Sequence, residues 1–349
     1  MEDNRINIIK NYIDSSFLKP YLKDDVTDIT YNGQDLFVED RTRGKRKINE
    51  EISIEIIKEF LFHLSNLCGK NFNALNPILD ISFLNYRLNA VHPIIAKKAN
   101  EGVFTFAIRI YANKIVIQPN NIEFCPLVIH NLLKQIVKNN KSIIISGKTG
   151  VGKTEFQKYL VGYMEDNTRV VIIEDLYETY IKELYPNLDI TSWVSFDNQK
   201  DIEKEYQRLI KTALRNNPDW LMIAEVRGKE ANELYNAFTT GHPFIATIHA
   251  KSSKLSLKRF AEMMKSEDKN ILIDLAEYIN FSIHLNKRMN EKGNVIRYIE
   301  SIIENTVVNN RLVQKEIFNY EKGIKLELLS NQMKKLMNYK ENKNEKEEK

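Results

Sequence analysis

Apolar positions follow two rhythms in the two halves of this 349-residue chain. In the first half, Ile6, Ile9, Tyr12 and Ile13 recur at helical spacing before Pro20, so residues 1–23 read as helical. The β-prone runs VTDITY (26–31) and LFVE (36–39) follow, joined by the turn sequence NGQD. Ile56, Ile57, Phe60, Leu61 and Leu64 predict a helix over 53–68, and residues 78–95 and 104–111 read as short strands. Together these elements predict a small α+β domain with antiparallel pairs over 1–113.

The stretch around Pro119 and Pro126 reads as a linker, placed at 114–126. Beyond it, continuous apolar runs alternate with helical ones. SIIIS (142–146) and RVVIIED (169–175) come first, then a helix near 202–215, DWLMIAE (219–225), another helix and PFIATIHA (243–250). Uninterrupted apolar strands between helices predict a parallel sheet covered on both faces, the mark of an α/β fold. Residues 254–280 read as further helices and 281–320 as closing strands, giving a second domain over 127–325. No internal repeat shows.

Composition narrows the class. With 43% apolar residues the chain can build cores, which excludes a disordered polymer. Its two cysteines, Cys68 and Cys125, exclude a multi-cysteine metal site. No apolar run reaches the roughly 18 residues of a membrane span, and the N-terminus lacks a signal-peptide core, so a cytoplasmic protein is expected. The net charge of +4 is weak evidence for a polyanionic partner. Half of it lies in the last nineteen residues, with six Lys and four Glu, part of a charged 326–349 tail expected to be disordered.

Residues Gly147-Lys148-Thr149-Gly150-Val151-Gly152-Lys153-Thr154 fit G-x-x-x-x-G-K-[ST] between an apolar strand and a helix. Glycines let backbone N–H groups converge on phosphate oxygens, Lys153 reaches the β- and γ-phosphates, and the Thr154 hydroxyl holds Mg²⁺. The helix that opens with Lys153, Thr154 and Glu155 adds its positive dipole end. The pattern identifies a binding site for ATP with Mg²⁺.

Groups that could activate water come next. Glu174 ends one apolar strand, with Glu178 just beyond, and Glu225 ends another. Ligand groups gather at the carboxyl ends of parallel strands, which favours function over a merely solvated turn. Ala224 stands where a generic P-loop enzyme has an Asp before the final acid.

IEDLYET (173–179), LRNNPDWLMIAEVRGKEA (214–231), TTGH (239–242) and ATIHA (246–250), in this order after the P-loop, resemble the secretion-motor ATPases. That superfamily powers type II secretion, type IV pili and type IV secretion or conjugation. VTDITYNG (26–33), Pro77, Arg87, Pro93 and Arg109 resemble its N-terminal signature, so the likeness covers about residues 26–290. The missing cysteine tetrad and the sequence His249-Ala250 resemble the type IV secretion, conjugation and tight-adherence branch.

The resemblance implies a RecA-like P-loop NTPase domain after the smaller α+β domain, and a homo-hexamer working at membrane-embedded secretion, conjugation or pilus components on the inner face of the membrane. Glu174 or Glu178 would orient or deprotonate water. Glu225 would support the metal–water network beside Thr154, His249 would sense the γ-phosphate, and His242 would link that site to neighbouring elements. Arg87 and Arg109 would close over the phosphates. Arg215 and Arg227 would reach a neighbouring subunit, unless Arg227 pairs with Glu230. A lone His pair without a third ligand makes a zinc site improbable.

The basic turn Arg41, Arg43, Lys45, Arg46 and Lys47 reads either as a solvated hairpin tip or as a contact for anionic lipid, at about 1 kcal/mol per cation. The alternative to a secretion motor is a hexameric nucleic-acid translocase or helicase with the same core. The chain lacks an interleaved basic and aromatic platform for bases, which ranks direct nucleic-acid binding lower.

Overall fold

A computed structural model describes residues 2–175, 177–195 and 202–337. The chain packs as two units, Met1–Asn113 with Met289–Val295, and Lys114–Arg288 with Ile296–Lys349.

In the first unit, α1 (Glu2–Ser15) precedes β1 (Val26–Tyr31), β2 (Leu36–Asp40) and β3 (Gly44–Lys47). Then come α2 (Ile54–Leu67), β4 (Ile78–Phe83), β5 (Tyr86–Val91), a short ribbon of β6 (Lys97–Lys98) and β7 (Glu101–Gly102), and β8 (Thr105–Ile110). Ser53 starts α2 by accepting the Ile56 N–H at 3.3 Å, which satisfies one orphan donor of the first turn. The antiparallel sheet has the order β3-β2-β1-β8-β5-β4. Its alternating inward residues Ile29, Val38, Leu88 and Ile108 share a core with Ile13 of α1 and Ile57 and Leu61 of α2.

Residues 44–47 of the basic turn are therefore a strand rather than a hairpin tip. Arg46 pairs with Asp40, Lys47 with Asp35 at 2.8 Å, and Lys45 lies over the Phe37 ring. Arg46 and Lys47 are thus matched by carboxylates of the same unit. Cations on an edge strand also discourage unwanted strand pairing.

The second unit opens with α3 (Leu127–Lys138), β9 (Ile143–Ser146), α4 (Lys153–Val161), β10 (Arg169–Glu174), α5 (Ile181–Leu184), β11 (Asp189–Val194) and α6 (Ile202–Leu214). It continues through β12 (Trp220–Val226), α7 (Glu230–Thr239), β13 (Phe244–Ile248), α8 (Ser256–Met264) and α9 (Ile271–Tyr278). The closing strands are β14 (Phe281–Met289), β15 (Val295–Val308), β16 (Arg311–Asn319) and β17 (Gly323–Ile324), before α10 (Asn331–Leu336).

The sheet order is β11-β10-β12-β13-β9-β14-β15-β16-β17. Strands β11 to β14 in that order pair in parallel, and β15, β16 and β17 extend the sheet antiparallel. Strand alternation sends Ile143, Ile145, Val170 and Ile172 into one core, with α3 and α4. Ile144, Val171 and Ile173 enter the other, with α6 to α9. Each buried Ile or Val contributes about 1.5–3 kcal/mol, which is why these runs carry no polar alternation. The expected α/β architecture is the observed one.

The segment expected as a linker contributes Ile117, Phe124 and Cys125 to the core shared with α3 and α4. Part of the expected tail is likewise built in. The Ser330 hydroxyl caps α10 and donates to Glu304, and Leu329 and Met333 are buried. The remainder of that tail lies outside the described residues. Among the described residues no helix is long and apolar enough to cross a membrane.

Candidate functional site

The phosphate loop joins β9 to α4. Gly147 leaves the strand at φ +153, and a β-carbon there would meet the Leu285 carbonyl oxygen at 2.7 Å. Gly152 caps α4 at φ +95, where a side chain is strained. Sterics thus account for both glycines. Lys148, Thr149 and Gly150 are exposed at the tip, while Val151 is buried. The Lys153 ammonium folds back onto the loop, donating to the carbonyls of Gly147 at 3.0 Å and Lys148 at 3.3 Å. Burial pushes its pKa down, the charge of Glu225 pushes it up, and that of Arg227 pushes it down again.

Thr154 and Glu155 follow in the first helical turn. Glu155 turns along the helix to the buried Lys158 at 3.0 Å. That places it in an ion pair of α4 rather than among the loop's phosphate contacts expected from sequence.

The acidic candidates sit at the carboxyl ends of β10 and β12, close to β13 and β9 in the sheet order. Glu225 owes its aim to a bulge. Strand β12 takes three steps from Ile223 to Val226 while β13 takes two, from Ala246 to Ile248. The Thr247 hydroxyl donates to the Ala224 carbonyl at 2.5 Å and ties the bulge down. Glu225 then meets His249 Nε2 at 2.7 Å and Arg227 Nη2 at 2.8 Å, and Arg227 Nη1 reaches Asp175 at 2.5 Å. Arg227 therefore bridges two strand ends. The Glu230 carboxylate accepts the backbone N–H groups of Arg227 and Gly228 instead of the guanidinium.

Glu174 has a different fate. It is 0% exposed, and its carboxylate accepts the N–H groups of Glu178 and Thr179 and the Thr179 hydroxyl, at 2.9 to 3.1 Å. Burial pushes its pKa up to about 7 against the pull of those bonds. Glu178 is half-buried beside it.

The remaining candidates are more scattered. His242 follows α7, and among the described residues no hydrogen bond or ion pair ties it to the Glu225 cluster. Arg215 is exposed after α6. Arg87 and Arg109 belong to the first unit, directly opposite each other on β5 and β8. Arg87 stands 3.7 Å from Asp80 and Arg109 3.1 Å from Asp28.

Several neighbours of the loop escaped the sequence reading. His284 of β14 is buried with Nδ1 2.8 Å from the Ser146 hydroxyl and Nε2 3.4 Å from Glu300. Burial lowers its pKa against the pull of Glu300, and the charge of Lys153 lowers it further. Arg297 of β15 donates from Nε to the Gly150 carbonyl at 3.1 Å. No motif contains these residues; only the sheet order brings them to β9.

Across residues 87–337 the chain matches the family described as "Type II/IV secretion system protein". The chain belongs to that family. This secretion-family chain is 32% identical over 323 residues to an uncharacterized protein of Bacillus anthracis, covering 88% of this chain and 71% of that one. It is also 32% identical over 139 residues to the type IV secretion system protein VirB11 of Bartonella quintana. That match spans 40% of this chain and only 38% of VirB11. Among solved structures, the Legionella pneumophila ATPase DotB superposes with a TM-score of 0.62 at 17% identity, over 87% of this chain and 80% of DotB. At that identity the likeness shows the fold, which is the RecA-like arrangement expected from the sequence.

Proposed function

We propose that this chain is an ATP-hydrolysing motor, hexameric when assembled, that powers type IV secretion, conjugative transfer or a related pilus assembly from the inner face of a membrane. The observation that carries the reading is the meeting of Glu225, His249 and Arg227 at strand ends beside Lys153 and the phosphate loop. VirB11 and DotB, a type IV secretion protein and an ATPase by name, support the choice of machine.

The residues fit nucleotide and metal. The loop opens a helix N-terminus, its lysine is half-buried within reach of loop carbonyls, and Thr154 and Glu225 supply hard oxygen donors for Mg²⁺. When bound, the ion neutralises charge on the phosphate oxygens.

The protein's own groups do the rest. Lys153 exchanges carbonyl partners for phosphate oxygens. Glu225, held by His249 and Arg227, orients water at the strand ends. Of Glu174, at the end of β10, and Glu178 just beyond it, Glu178 is the better placed to take a proton, because Glu174 already serves three donors of its own loop. Proton transfer by a positioned carboxylate contributes about 10²–10⁴ in rate.

Phosphate release from ATP by the full chain, compared with Lys153→Ala, tests the reading. Loss of release in the variant is expected; undiminished release would place hydrolysis elsewhere.

A further inference from the structure

We propose that Arg297, with Lys287 beside it, is a positioning residue that holds the phosphate loop in its binding form from outside. The inference rests on the reading of residues 147–154 as a nucleotide phosphate site. Both cations lie on strands that follow the recognised motifs. Lys287 is on β14, which pairs in parallel with β9, the strand that feeds the loop. Arg297 is on β15, the next strand in the sheet.

Their placement against the loop is close. Arg297 Nε donates to the Gly150 carbonyl at 3.1 Å, and its Cδ lies 3.4 Å from where a Gly152 β-carbon would be. Lys287 Nζ lies 3.3 Å from the corresponding position at Gly150. Two of the loop's three glycines thus face these side chains.

Peptide geometry turns this contact into a function. The Gly150–Val151 peptide is trans and planar, so its C=O and N–H point in opposite directions. Holding the carbonyl outward on the guanidinium aims the Val151 N–H the other way. Gly150, at φ +77, has no intrinsic preference that would do this alone. A charge-assisted donor is stronger than a neutral one, and the second cation raises the potential felt by an incoming polyphosphate. Lys153 supplies the phosphate contact, and Arg297 keeps the backbone donors ready for it.

Two readouts on the full chain separate this inference from the nucleotide reading. The first is titration with a fluorescent ADP analogue and the KM for ATP. Arg297→Met is expected to weaken binding and raise KM about tenfold with little change in kcat, as loss of one charge-assisted bond implies. Arg297→Lys should restore part of the loss, and Lys287→Met should show a smaller one. The second is amide hydrogen exchange at residues 147–152 without nucleotide, expected to be faster in Arg297→Met while the cores of the second unit stay protected. Unchanged loop exchange in Arg297→Met, or binding equal to wild type, overturns the inference. A wild-type chain that binds no nucleotide overturns the reading of the site, while faster loop exchange in Arg297→Met would still uphold the positioning role.

Discussion

Glu174 and Glu225 lie one and two residues past the last registered pair, Ile173 and Ile223, of adjacent parallel strands, and their surroundings are opposite. Glu174 turns inward, is fully buried and caps its own following loop through three donors. Glu225 stays half-buried, faces His249 and Arg227, and influences the charge of Lys153. The end of a strand offers a carboxylate to a ligand only if the next few backbone N–H groups point elsewhere. One acid holds its own loop together; the other meets side chains of two further segments, Arg227 and His249.

The largest test of this contrast is Glu225→Gln. It is expected to keep ATP binding while lowering kcat about 10²–10⁴-fold in a phosphate-release assay. The contrast breaks if Glu174→Gln lowers kcat as much.

The second test uses pH. The Glu174 carboxyl titrates near 7 in the folded chain against 4.5 ordinarily, so the folded state binds more protons between those values. Stability therefore falls as pH rises from about 4.5 to 7, by roughly 3 kcal/mol in all. Glu174→Gln should remove that component, giving a thermal midpoint that is flatter with pH than wild type. An identical slope in both proteins would mean that the buried acid is not what titrates.

The smallest effect belongs to Thr247→Val. It removes the hydroxyl that serves the Ala224 carbonyl, at about 1–3 kcal/mol of stability. A modest fall in kcat should accompany it, since Glu225 sits on the same bulge. Loss of stability with unaltered kcat would show that the bulge holds its shape without that bond.

What could be read from the sequence follows from what is local. The phosphate loop is contiguous, so its glycines, Lys153 and Thr154 announce themselves together. The buried strands β9, β10, β12 and β13 are equally plain, because unbroken runs such as SIIIS have one physical use. Strand order is not local, and so Arg297 in VIRYIES reads as any outward cation of an alternating strand.

Glu174 was legible as a strand-end acid, but nothing in IEDLYET says that Thr179 returns to meet it. Glu155 presented the same difficulty, since its partner Lys158 lies one helical turn on and only burial shows that the two are matched. Pro119 and Pro126 looked like a linker because proline marks irregular backbone, and irregular backbone can still bury Ile117 and Phe124. The described part of the tail, residues 326–337, was misleading for a similar reason: Leu329 and Met333 are outnumbered in composition but not in packing.

The bulge in β12 can be restated as a matter of frame. Along a regular strand, residues an odd number apart face opposite ways. Ile223 and Val226 are three apart, yet both pack into the core shared with α6 to α9. The extra residue has shifted the frame of everything after it, as an inserted letter shifts a sentence. Removing Ala224 would leave both apolar side chains where they are and would give a cleaner ladder with β13. It would also move Glu225 into the regular alternation, away from the bulge that aims it at His249. The strand thus carries one residue more than its packing requires, and the contact of Glu225 with His249 is set by that surplus.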